Sequence, residues 1–190
     1  MKKKDYSSLI YIHQILEASQ RASKQIEALK SFSNDIDIRP SQLNINSIVK
    51  NFGISASEIL GQKISIVLDL CNCELNASVD RLQIERVLTI LAFNSRDAMP
   101  DGGIFTIKTG RIDNKDKNNF VSITVKDTGC GIDDKIKEKI FEPFFTTGNG
   151  MGLGLSVAYW IIKKHNGYIN CLSENDRGAT FQILLPEVSI

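Results

Sequence analysis

Charge of one sign is what this sequence lacks most plainly. Its 190 residues carry 23 lysines and arginines against 22 aspartates and glutamates, a net charge of +1. That balance gives no general electrostatic case for nucleic acid, and no basic stripe is interleaved with aromatics. Cysteines number four, too few and too unevenly spaced for a disulfide framework. Cys71 and Cys73 have no second Cys or His pair to complete a zinc site, so all four are expected as reduced thiols, which fits the cytoplasm. Long apolar runs are missing too. Lys2 to Lys4 lead into a brief apolar stretch broken by His13 and Gln14, neither a signal peptide nor a membrane span. Proline and glycine are absent from the first 34 residues.

What is present suits a soluble globular domain: 42% hydrophobic and 24% charged residues. A chain of this length buries roughly 70% of its unfolded surface, enough for a good core. Residues 1–34 read as a helix with heptad tracks Ile12, Ser19, Ile26 and Ile15, Ala22, Leu29. That narrow seam suits a neighbouring helix and cannot bury itself alone. Residues 35–45, with Pro40, read as a linker, and residues 46–190 as a second domain. There Asn46 to Leu60 form a helix closed by Gly61, and Ile64 to Leu70 alternate as a strand. Asp80 caps a long helix that stops at Pro100-Asp101-Gly102-Gly103. Strands follow at 104–111, 120–126, 168–173 and 179–185. The fold expected from this order is a sheet with helices on one face.

Four segments carry candidate chemistry. In "VKDTGCGI" a strand ends at Asp127, an acceptor-only side chain that suits an exocyclic amine such as adenine's. Asp-Thr-Gly is equally ordinary turn chemistry. In "RVLTILAFNSRDAMPDGG", Asn94 offers a hard amide oxygen suited to magnesium. Asp97 shares its helix face while Arg96 points elsewhere; a local cap and a solvated acid are the plain alternatives. "IFEPFFTT" is satellite core or the anchor of a mobile lid. In "FFTTGNGMGLGLSVA", glycines at 148, 150, 152 and 154 fit a loop whose backbone approaches a ligand, ahead of a helix end that attracts phosphate. No Gly-Lys-Ser/Thr follows them and no strand leads directly in, which excludes the Walker and dinucleotide patterns.

These segments, in this order, resemble the ATP-binding domain of sensor histidine kinases, a member of the Bergerat-fold superfamily. The resemblance covers about residues 44 to 186. "NSRDAMPDGG" matches the asparagine box, "DTGCGI" the first glycine box, "FEPFFTT" the phenylalanine box, "GMGLGLS" the second glycine box, and "GATF" the final segment. It implies an α+β fold, a two-layer α/β sandwich preceded by an N-terminal helix. It makes Asn94 the magnesium ligand and Asp127 the adenine contact, with Gly129 and Gly131 shaping the pocket and Thr180 supporting it. Asp97, Gly150, Gly152, Leu153, Gly154 and Leu155 complete the nucleotide-binding set. ATP and Mg2+ are the implied cofactors. A response-regulator receiver domain and a second copy, joined through the N-terminal helix, are the implied partners, with no nucleic acid and no membrane contact by this segment.

Three departures from the family pattern matter. Where the family has a second asparagine, and its hydrolysing members a glutamate, stands Ile90, which cannot activate water. Thr147 is followed by Gly148 and Asn149, so the lid is short and lacks the usual lysine. Neither His13, followed by Gln14, nor His165, at a helix end, has the acidic neighbour of a phosphoacceptor. Residues 11–33 resemble the second helix of the dimerisation hairpin, and the helix carrying the acceptor is expected outside this chain. The reading is a histidine-kinase catalytic core. Its alternatives are an anti-sigma-type serine kinase and a nucleotide-binding interaction module without transfer.

Overall fold

The structure, a computed structural model, describes residues 11–12, 37–113, 119–148, 150–173 and 178–188. The chain divides into two compact units, Met1–Ile36 and Asp37–Ile190. The heptad seam and His13 lie outside the described residues of the first unit, apart from the helical, exposed Tyr11 and Ile12.

In the second unit, β1 (Ser41–Asn44) pairs antiparallel with β3 (Asn76–Val79) as a small separate sheet. Helix α1 (Ile45–Leu60) starts at Asn44, whose side chain accepts from the Asn46 amide, and ends at Gly61. Its buried positions Ile45, Ile48, Val49, Phe52, Ala56 and Leu60 recur at helical spacing and form one face. Helix α2 (Arg81–Ala98) is capped by Asp80, which accepts from the Gln83 amide at 3.2 Å. Helix α3 (Gly154–Lys164) has no side-chain cap at its start.

The main sheet has the order β2-β4-β5-β7-β6. Strand β2 (Ile64–Asp69) runs parallel to β4 (Gly103–Ile112). The remaining neighbours, β5 (Phe120–Asp127), β7 (Thr180–Pro186) and β6 (Tyr168–Cys171), pair antiparallel. Alternate residues Phe105 and Ile107, Val121, Ile123 and Val125, and Phe181, Ile183 and Leu185 are buried. With the apolar faces of the three helices they make the core of a two-layer α/β sandwich.

Two expectations are corrected. Residues 41–44, read as the end of a linker, form β1, and the compact unit begins at Asp37. A four-residue strand behind Pro40 is too short to show a period, and its partner lies some thirty residues on. Cys71 and Cys73, expected as thiols, are joined by a disulfide, their Cα atoms 5.3 Å apart. The turn that brings them together is held by Asn46, whose amide donates to the carbonyls of Cys71 (3.0 Å) and Cys73 (3.1 Å). The Thr109 hydroxyl in turn donates to Asn46 Oδ1 at 2.6 Å and accepts from the Cys71 amide. Cys130 and Cys171 are free.

Candidate functional site

The last residue of β5 is the best-connected polar group near the nucleotide motifs. Asp127 is 2% exposed. Its Oδ1 accepts from the Gly129 amide at 2.9 Å and the Ala179 amide at 3.0 Å, and its Oδ2 accepts from the Ser95 hydroxyl at 3.0 Å. The Gly129 bond is the local Asx turn that Asp-Thr-Gly suggests, and the other two reach Ala179, the residue just before β7, and α2. Buried carboxylates require such partners. Each oxygen offers about two acceptor positions, so Oδ1 is filled and Oδ2 keeps one.

Three elements converge on this carboxylate, and the backbone must be thin there. Gly178, at φ +78°, has no room for a side chain: a Cβ would lie 2.0 Å from the Asp127 carbonyl oxygen. The "DTGCGI" loop lies against the end of α2, with the Cys130 amide donating to the Ala98 carbonyl at 3.3 Å and Gly131 at φ +76°. Ser95, on the buried face of α2, is the residue that sequence reasoning missed. A serine after Asn94 carries no pattern of its own; only its 32-residue separation from Asp127, closed by the fold, gives it a partner.

Asn94 and Asp97 lie exposed on the last turns of α2. Arg96 does not point away from Asp97, as its helix position suggested. Its Nε and Nη2 donate to Asp97 Oδ1 at 3.0 and 2.8 Å, and its guanidinium lies 4.9 Å from the Phe93 ring centroid. A long side chain can curl back along the helix to reach its neighbour. Among the described residues no group of three His, Cys, Asp or Glu side chains could hold a metal ion by itself.

The phenylalanine segment divides between core and surface. Ile140 is buried, and the Phe141 ring lies 5.8 Å from Tyr159 and 6.4 Å from Phe181. Phe144 is exposed, with φ at +67°. Gly152, at φ +66°, sits against the backbone of Phe144 and Phe145, where a Cβ would come within 2.5 Å. Gly148 has open space around it and Gly150 only Thr146 Oγ1, 3.9 Å from where a Cβ would stand. Leu153 is buried, Leu155 half-buried, and the Ser156 hydroxyl donates back to the Leu153 carbonyl rather than capping the helix. A Cβ at Gly154 would lie 3.3 Å from Ile90 Cγ2, so the start of α3 lies beside α2 one turn before Asn94. An uncapped helix start with free amides favours an anion.

Thr180 stands apart from this group. It pairs with Lys126 in the register of β5 and β7, and Phe181 beside it is buried in the core. Side chains alternate along a strand, so Thr180 takes the sheet face opposite to Asp127. The backbone of Ala179, one residue earlier, makes the contact that the resemblance gives to residue 180.

A model described as "Histidine kinase-, DNA gyrase B-, and HSP90-like ATPase" matches residues 79–189. The chain belongs to this family. Within it, the relatives include sensor kinases, and the chain is the ATP-binding catalytic domain of a histidine kinase. It is 37% identical to the sensor kinase CckA of Brucella abortus over 190 residues, 93% of this chain and 20% of that protein. The chain thus spans about a fifth of this relative's length. The catalytic domain of the histidine kinase ThkA superposes with a TM-score of 0.68 at 30% identity, covering 78% of this chain and 96% of that one. ThkA in complex with the response regulator protein TrrA gives 0.74 at 25% identity, covering 99% of this chain and 53% of that one. These likenesses fit the α+β sandwich that the motif order implied.

Proposed function

We propose that this chain binds Mg-ATP and presents its γ-phosphoryl group to a histidine supplied by another segment or chain. The observation that carries the reading is the buried Asp127 carboxylate, tied to Ala179 and to Ser95 of α2 and left with one acceptor position on Oδ2. That position suits one N–H of the adenine amine. Gly129 and Gly131 shape the adjoining loop. The lid glycines Gly150, Gly152 and Gly154, with Leu153 and Leu155, bring the amides of the α3 start toward the phosphates. Asn94 fits magnesium as a single exposed amide oxygen, since this ion keeps several waters and takes further ligands from phosphates. When bound, the ion would neutralise phosphate charge; Asp97, paired with Arg96, is a weaker candidate beside it.

In the transfer the bond between the γ-phosphorus and the β–γ bridging oxygen breaks, a bond from phosphorus to the histidine nitrogen forms, and ADP leaves. The chain's own contribution is positioning. A response-regulator receiver domain is the proposed next acceptor, with a homodimer through residues 1–34 and a cytoplasmic setting. No helix among the described residues is long and apolar enough to cross a membrane.

One group of observations favours a second reading, nucleotide binding without transfer. Ile90 stands where the family pattern has a polar residue, and the short lid has no lysine. Incubation with γ-labelled ATP and a separately supplied acceptor-helix domain separates the two. Label on the acceptor histidine supports the kinase; saturable binding with no label supports the binding module.

A further inference from the structure

The group of the resemblance that would place a hydroxyl beside the adenine contact, Thr180, takes the other face of the sheet, and yet Asp127 has a hydroxyl partner. It comes from α2. Ser95 is 2% exposed, and its Oγ lies 3.0 Å from Asp127 Oδ2. We propose that Ser95 is a positioning residue for base recognition, making the site select a purine with an amino group at position 6 over one with a carbonyl there. The proposal rests on the nucleotide reading above and assigns a determinant of its specificity.

Two backbone amides fill Oδ1, but both act on one oxygen and leave the carboxylate free to swing about it. The Ser95 donor fixes the second oxygen and so fixes the plane. It also consumes one of the two acceptor positions on Oδ2, so a single one remains for a ligand N–H. A 6-amino group supplies that N–H. A 6-carbonyl would set oxygen against a carboxylate oxygen in a buried site, where an unpaired polar contact is costly.

The serine hydroxyl has one proton, and it is committed. To serve a 6-carbonyl it must turn away from the carboxylate, giving up a bond to a charged, buried acceptor, which is stronger than a neutral one. Ser95 therefore presents only lone pairs to the ligand, as Asp127 does. The two side chains together make the base site acceptor-only.

The test is a calorimetric titration of the full chain and of Ser95→Ala with Mg-ATP and with Mg-ITP. Inosine carries the 6-carbonyl without guanine's 2-amino group, so the pair isolates position 6. Alanine is a better helix former than serine and fits the same space, and a single cooperative thermal transition without ligand, even at a lower midpoint, establishes that the fold is intact. The expected result is an ATP Kd about tenfold weaker in Ser95→Ala with the ITP Kd nearly unmoved, so the preference narrows about tenfold. An unchanged preference, or equal weakening for both nucleotides, overturns the role of Ser95 while leaving the nucleotide site standing. Absence of ATP binding by the unsubstituted chain removes the nucleotide reading, and this proposal with it.

Discussion

The imidazole of His165 joins two helix ends that are 85 residues apart in sequence. Its Nε2 accepts from the Asp80 amide at 2.9 Å, and its Nδ1 donates to the Ile161 carbonyl at 2.8 Å. His165 closes α3, and Asp80 opens α2. The side chain is 5% exposed, so this is a structural histidine and both ring nitrogens are already engaged. His165→Ala orphans a buried amide and opens a cavity, and is expected to cost about 2–4 kcal/mol. Urea unfolding, read at constant m-value, measures it.

The Asp80 carboxylate serves the same junction. It accepts from the Arg39 amide at 3.0 Å and from Gln83 at 3.2 Å, and the Arg39 bond is the largest cause holding its carboxyl below the ordinary 3.8. A depressed carboxyl contributes stability above the unfolded value and loses it as pH falls through the lower folded value. Asp80→Ala is therefore expected to cost about 1 kcal/mol at pH 7, as an N-cap loss. The difference from the unsubstituted chain should shrink below pH 4; a difference that holds constant to pH 2 would assign the cost to packing instead.

Two lid glycines should respond unequally to the same change. Gly152→Ala meets the Phe144 and Phe145 backbone at 2.5 Å with φ at +66°, whereas Gly148 has nothing within 4 Å. Gly152→Ala is expected to weaken Mg-ATP binding at least about tenfold, by forcing the lid from its seat. Gly148→Ala should stay within about twofold. Equal effects at the two positions would mean that lid geometry does not govern binding.

The free cysteines report on the site. Cys130 is exposed in the loop beside Asp127, while burial pushes the Cys171 thiol up to about 11. At pH 8 iodoacetamide should label Cys130 first, because Cys171 carries almost no thiolate. Bound Mg-ATP should slow that labelling, and without reductant Cys71 and Cys73 should stay unlabelled. Peptide mass spectrometry reads all four positions in one experiment.

Much of this fold is legible because helices α1, α2 and α3 carry apolar stripes, and α1 and α2 have capping residues at their starts. Asn44, Asp80 and Gly61 do there what their chemistry requires. The β1–β3 pair is not legible, because four-residue strands show no period and pair across some thirty residues. At the site, Asp127 and the glycines announce themselves by type and spacing. Ser95 does not, since its meaning is a tertiary contact, and Thr180 misleads because a strand turns each next side chain to the other face. The Arg96–Asp97 pair depends on one long side chain's rotamer, and the Cys71–Cys73 bond on a turn held by Asn46 and Thr109.

If Asp127 reads the adenine amine, Asp127→Asn should abolish that recognition. Asparagine keeps an oxygen for the Gly129 and Ala179 amides, so the fold should survive, but it turns an amide donor toward the ligand in place of the free acceptor. Calorimetric titration with Mg-ATP should give one site per chain for the unsubstituted protein and at least about a hundredfold weaker binding for the variant. Equal affinity in the two proteins would contradict the assignment.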